Sequence, residues 1–173
     1  MFACRLLLSI LLASPMVASA AEATLRQPRP NLITAGQPSA QQLRDAAASG
    51  VTTVIDLRQP DEDRGFDEAA LAEQLGLRYV RLPIAGASGI TADNARTLQR
   101  LLKQDKGTTL LHCASSNRAG ALLSLINAGI EGAPVEAALQ LGRDAGMTSL
   151  EAAARDALEN PASLPASKKP PTP

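Results

Sequence analysis

An alternation of short apolar runs with helical segments constrains the fold of this chain more than any other feature. Residues 31–36, Asn-Leu-Ile-Thr-Ala-Gly, read as a short strand and turn. Ser39-Ala40-Gln41-Gln42 has the Ser-x-x-Gln form of a capping box, so a helix should follow, with Leu43, Ala46 and Ala47 inward and Gly50 at its end. Residues 51–57 are β-branched and mostly apolar, the pattern of a buried strand, and they lead into Asp56-Leu57-Arg58. The charge-dense residues 59–65 form a loop, 66–75 a helix with Gly76 just beyond it, and 77–84 the next strand. After the flexible loop Gly86-Ala87-Ser88-Gly89, Thr91 is placed to N-cap a helix over 92–104, and 108–112 is another strand. A helix is expected from about 117 to 128, then two more over 134–145 and 149–159, the last with Thr148 as N-cap and Glu151 as its box partner. Strands that alternate with helices are best buried as an α/β fold of three layers. A short, central, mostly parallel sheet is flanked by helices on both faces. Right-handed crossovers then put the strand C-termini on one edge, where the loops 58–65, 85–90 and 113–118 converge.

The third of these loops carries the chemistry. His112-Cys113-Ala114-Ser115-Ser116-Asn117-Arg118-Ala119-Gly120 joins the last strand to an Ala/Leu-rich helix. Backbone N–H groups of such a loop point inward at an anion, and the helix dipole adds positive potential. Arg118 adds a planar fork of donors suited to two oxyanions at once. A field that holds an oxyanion also favours a thiolate over a thiol, so Cys113 reads as a nucleophile inside an anion cradle.

The rest of the chain narrows the setting. Residues 1–20 have the build of a secretory signal: Arg5, an apolar run from Leu6 to Leu12 broken by Ser9, and the small-residue site Ala18-Ser19-Ala20. That run is too short to span a bilayer, so cleavage after Ala20, export to the periplasm or outside the cell, and no stable membrane insertion are expected. Cleavage removes Cys4 and leaves Cys113 without a disulfide partner in an oxidising compartment, where a lone thiol needs either a use or burial. Residues 21–30 read as a lead-in, 31–159 as the domain, and the Pro-, Ser- and Lys-rich 160–173 as a disordered tail. Seventeen basic and seventeen acidic side chains give no basic block for nucleic acid. Aromatic residues are 2% of the chain, which excludes stacking platforms for single strands.

Taken in order, Thr34-Ala35-Gly36-Gln37-Pro38, Val54-Ile55-Asp56-Leu57-Arg58, Tyr79-Val80-Arg81-Leu82-Pro83-Ile84, Ile90-Thr91 and His112 to Arg118 form a set. This set closely resembles the phosphatase-like domain of the bacterial beta-lactamase hydrolase-like proteins. That family is a branch of the dual-specificity and tyrosine phosphatase superfamily, and the likeness covers about residues 30–158. The resemblance implies a cysteine-phosphatase fold and a phosphoric monoester hydrolase needing no metal and no cofactor. It implies a phosphate ester, protein-borne or small, as substrate. Cys113 would attack phosphorus to give a thiophosphoryl enzyme, which water then hydrolyses. Backbone N–H groups of Ala114, Ser115, Ser116, Asn117 and Arg118, with the Arg118 guanidinium, would bind the phosphoryl oxygens. His112, the only histidine, would support the loop and the thiolate.

Three departures from the superfamily pattern keep alternatives open. Only four residues separate Cys113 from Arg118, where five are usual, and four is the loop length of rhodanese sulfurtransferases. Ser116 stands where many relatives have glycine, which is unfavourable if the backbone there needs a positive φ. The loop 85–90 contains no acid to protonate a leaving oxygen. Asp61 is taken as the general acid, with Glu62 and Asp63 beside it and Asp56 and Asp93 as further options. A persulfide-carrying sulfurtransferase and a non-catalytic phosphate- or phosphopeptide-binding domain stand as alternatives to the phosphatase.

Overall fold

A computed structural model describes residues 22–160. The expected signal segment and Cys4, and all but the first residue of the expected tail, lie outside the described residues.

Five strands form one sheet in the order β1-β2-β5-β3-β4: β1 (Arg26–Arg29), β2 (Leu32–Ala35), β3 (Val51–Asp56), β4 (Arg78–Arg81) and β5 (Thr108–His112). Strands β2, β5, β3 and β4 are mutually parallel, and only the edge strand β1 runs antiparallel, against β2. Residues 26–29, expected in a lead-in, are therefore part of the sheet. Arg-Gln-Pro-Arg has neither alternation nor β-branching to announce a strand, and its edge position lets Pro28 be tolerated.

Side chains alternate across the sheet and so divide the core in two. Val54 and Leu110 face α1 (Ala40–Ala48) and α2 (Glu68–Gln74), packing with Leu43, Ala46 and Ala72. Ile55 and Leu111 face the opposite layer, made by α3 (Ala92–Gln104), α4 (Asn117–Gly129), α5 (Val135–Asp144) and α6 (Glu151–Glu159). Helix α4 runs through the middle of that layer, and residues 118–126 are all buried. Truncating one of its fully buried leucines, such as Leu122, should cost about 2–5 kcal/mol. Gly120 and Gly142 let α4 and α5 touch backbone to backbone, since a Cβ on Gly120 would collide with the Gly142 carbonyl. Among the described residues no helix is long and apolar enough to cross a membrane.

Local signals behave as their chemistry dictates. Ser39 and Gln42 form the reciprocal capping box at α1. Thr91 caps α3 by accepting from Asn94 N at 3.2 Å. The box expected at Thr148 does not form. The N-cap of α6 is Leu150, with no side-chain cap, because Glu151 reaches back to Arg143 (2.7 Å) instead.

Candidate active site

Register places the site. In the parallel ladder Ala35 pairs with His112, His112 with Asp56, and Asp56 with Arg81, so these strand ends share one edge. The chain then leaves β5 through Cys113 and re-enters helix at Asn117. Neighbouring strands pin this loop through their backbones. Leu57 N donates to His112 O (2.9 Å), Cys113 N to Ala35 O (3.4 Å), and Gln37 N to Ala114 O (3.1 Å).

Ser116 is the hinge of the loop. Its φ of 69° is left-handed, the conformation that glycine adopts freely and serine adopts at a cost of about 1–2 kcal/mol. The Ser116 hydroxyl offsets this strain by donating to Ala145 O at 2.7 Å in a fully buried setting. No side chain caps α4, so its first N–H groups remain for an anion. Asn117 ties the loop to the α5–α6 connection: its Oδ1 accepts from Thr148 N (2.9 Å) and Leu150 N (3.2 Å), and its Nδ2 donates to Ser149 Oγ (2.6 Å). Ala114 and Ser115 are exposed at the mouth, while Cys113 is fully buried at its base.

Arg118 is held from three sides. Nη1 donates to Ile84 O (3.0 Å), Leu57 O (3.3 Å) and Glu62 Oε1 (2.5 Å), and Nη2 donates to Glu62 Oε2 (2.6 Å). The loops after β3, β4 and β5 thus meet on one guanidinium. Of its five N–H donors, these contacts leave Nε and one N–H of Nη2 for an oxyanion beside Cys113. The hydrogen bond with Glu62 raises the Arg118 pKa despite burial, and the neighbouring Cys113 raises it further. The same bond lowers the Glu62 pKa. Glu62, one of three acids on that loop, is therefore engaged as an orienting anion. Asp61 and Asp63 are exposed, and Asp63 accepts from Gly65 N (2.8 Å). Asp93 sits in the first turn of α3 and pairs with Arg96.

Beneath the loop lies a buried polar cluster. Arg58 donates from Nε to Asp56 Oδ1 (2.9 Å) and from Nη2 to Asp56 Oδ2 (3.0 Å), and it also bonds Glu68. Tyr79 Oη donates to Asp56 Oδ2 (2.7 Å), and His112 Nε2 lies 2.9 Å from Glu68 Oε1. Burial alone would raise the Asp56 carboxyl, but the bonds from Arg58 and Tyr79 and the nearby His112 outweigh it and hold the pKa at about 2. Burial, with Glu68 and Asp56 alongside, pushes the Tyr79 hydroxyl up to about 12. Asp56, Glu68 and His112 have the ligand atoms of a metal site, all within 4.8 Å of one another, but Arg58 already supplies the positive charge between the two carboxylates.

Glu68 is the residue that sequence reasoning missed. An acid in the first turn of a helix reads as an exposed partner of the dipole, and only its zero exposure and its contacts with Arg58 and His112 mark it as part of the cluster. Phe66 and Tyr79 pack against the α1–α2 side of the core, and Phe66 also lines a cleft beside the loop.

Known proteins resemble this chain in sequence and in fold. A family profile described as "DSP-PTPase phosphatase fused to NAD+ Kinase" matches residues 13–160. A Beta-lactamase hydrolase-like protein of Xylella fastidiosa is 33% identical over 98 residues, 54% of this chain and 22% of its own length, so the chain spans about a fifth of that relative. Among solved structures, P. aeruginosa TpbA in complex with phosphotyrosine aligns with a TM-score of 0.62 at 21% identity, covering 83% of this chain and 92% of that one. A DUF442 protein of Shewanella putrefaciens aligns with a TM-score of 0.63 at 22% identity, covering 80% and 88%. At these identities the structural likeness fixes the cysteine-phosphatase fold.

Proposed function

Since the chain belongs to the family of DSP-PTPase phosphatases fused to NAD+ kinase, we propose that it is an exported phosphoric monoester hydrolase that works through a thiophosphoryl intermediate on Cys113. The observation that carries this reading is the convergence of three loops on Arg118 directly beside the buried Cys113.

In the first step the Cys113 thiolate attacks phosphorus, a sulfur–phosphorus bond forms, and the ester P–O bond breaks. The leaving oxygen takes a proton from an acid. In the second step water attacks phosphorus and gives a proton back to that acid, the S–P bond breaks, inorganic phosphate departs, and the thiolate returns. Nε and Nη2 of Arg118 and the uncapped N–H groups of α4 bind the equatorial oxygens, whose charge grows in both transition states. Glu62 fixes the guanidinium so that this cradle is formed before substrate arrives. Asp56 and Glu62 are engaged with arginines, and Asp93 pairs with Arg96. Asp61, exposed on the loop that grips Arg118, is the acid we assign. Replacing it with Asn should slow esters of alcohols far more than p-nitrophenyl phosphate, whose leaving group departs unprotonated.

A paired assay of p-nitrophenyl phosphate hydrolysis and of thiosulfate:cyanide sulfur transfer, on wild type and Cys113→Ser, tests the reaction. Hydrolysis inhibited by vanadate and lost in Cys113→Ser is expected. Sulfur transfer with a persulfide on Cys113 would instead assign the four-residue loop to sulfur chemistry, and phosphate-induced thermal stabilisation without turnover would leave a binding domain. Export rests on the composition of residues 1–20, and an N-terminus at Ala21 in the periplasmic fraction is the expected result. Protein retaining Met1 in the cytoplasm would remove it.

A further inference from the structure

Resting on that phosphatase reading, we propose that the cleft beside the phosphate loop selects phosphate monoesters whose leaving group carries a second anionic group, bound by Arg26. The cleft has a volume of about 700 Å³ and opens onto the exposed Ala114 and Ser115 of the loop. This volume falls in the range of small-molecule sites, roughly 300–1,000 Å³. Phe66 and Pro38 give it apolar walls, and Gln37, Ser39 and Thr24 add neutral polar groups.

Among the described residues Arg26 is the only charged one lining the cleft. It is half-buried, and its one hydrogen bond among the described residues is a long one, from Nη1 to Thr24 O at 3.4 Å. Every other arginine in the described residues that is buried or half-buried has a carboxylate within 4.0 Å: Arg29, Arg58, Arg64, Arg118, Arg143 and Arg155. The arginines that lack one, such as Arg78 and Arg81, are exposed. A guanidinium partly removed from water and left without an acid is a receptor for an external anion.

The placement is fixed from both sides. The lead-in is stitched to α1 by the capping residue itself: Ala23 N donates to Gln42 Oε1 (3.1 Å) and Gln42 Nε2 to Ala23 O (2.7 Å). On the other side the Arg26 guanidinium lies against Gly146, where an added Cβ would sit 3.2 Å from Nη1. The charge therefore stands next to the phosphate loop, since the same Cβ position at Gly146 would also meet Ser116. A monoester with a flat or apolar body against Phe66 and a carboxylate or second phosphate at its far end fits this arrangement.

The test compares 4-carboxyphenyl phosphate with p-nitrophenyl phosphate. The ratio of their kcat/KM values should fall about tenfold in Arg26→Gln and recover in part in Arg26→Lys, since a charge-assisted bond is lost and then partly restored. An unchanged ratio, whether both rates fall together or neither falls, overturns the proposal. A wild type that hydrolyses neither ester refutes the phosphatase reading but leaves the cleft testable. Cys113→Ser protein titrated calorimetrically should bind 4-carboxyphenyl phosphate more tightly than phenyl phosphate, and adding Arg26→Gln should abolish that preference. Equal binding of the two esters overturns the proposal by itself.

Discussion

The floor and the rim of the site use the same kinds of side chain in opposite ways. In the floor, Asp56, Arg58, Glu68 and His112 all have zero side-chain exposure, and Arg58 joins the two carboxylates, while Arg58 Nη1, Glu68 Oε1 and both His112 nitrogens have no hydrogen-bond partner among the described residues. At the rim, Arg118 and Glu62 are 11% and 28% exposed, two of the arginine's donors are left over by its oxygen partners, and Arg26 has no carboxylate within 4.0 Å among the described residues. A charge closed into a network sets structure, because desolvation makes its partners hard to exchange. A charge held in place but left with spare donors sets function, because a ligand can complete it.

This contrast separates loss of stability from loss of activity. Glu68→Ala should be the largest disturbance, destabilising the fold by about 3–5 kcal/mol in chemical denaturation, because it removes one partner from a buried pair. Arg118→Lys should do the reverse, keeping the denaturation midpoint and lowering kcat/KM by about 10² to 10³-fold, because an ammonium cannot reproduce the fork. The floor should next reveal itself through pH. Asp56 has its folded pKa lowered from 3.8 to about 2, so its contribution is complete above pH 4 and is lost as pH falls through the folded value. Unfolding titrations should show roughly 2 kcal/mol disappearing between pH 4 and 2, and Asp56→Asn should flatten that slope. Glu62→Gln should lower kcat/KM about tenfold by loosening Arg118, with a stability change below about 1 kcal/mol. The smallest effect belongs to Ser116→Gly. Relief of the left-handed backbone and loss of the bond to Ala145 O are each about 1 kcal/mol and opposed, so the melting temperature should barely move. A Ser116→Ala protein keeps the strain and loses the bond, and it should be the less stable of the two.

Sequence pattern revealed what depends on neighbours in the chain. The capping box at Ser39, the cap at Thr91, the strand at 108–112 and the cysteine loop between β5 and α4 are all local signals, and all appear in the structure. Cys113 and its spacing to Arg118 were legible for the same reason. What was hidden depends on pairing across the fold. Strand β1 exists only because β2 presents it with a free edge. Glu68 becomes a floor residue only because Arg58 arrives from just beyond β3 and His112 from the end of β5. Glu62 was visible as an acid near the site, but its task follows from meeting Arg118 across 56 positions of sequence. Thr148 fails as a cap because Glu151 finds a better partner in Arg143, a choice no local pattern encodes.

The most direct test of the central claim is to look for phosphate on sulfur. Protein mixed rapidly with p-nitrophenyl phosphate, quenched during turnover and digested, should yield the peptide bearing Cys113 with a mass increase of one phosphoryl group. Cys113→Ser protein should yield none and should not turn over. Sustained hydrolysis with Cys113 never modified, or surviving in Cys113→Ser, would contradict the account.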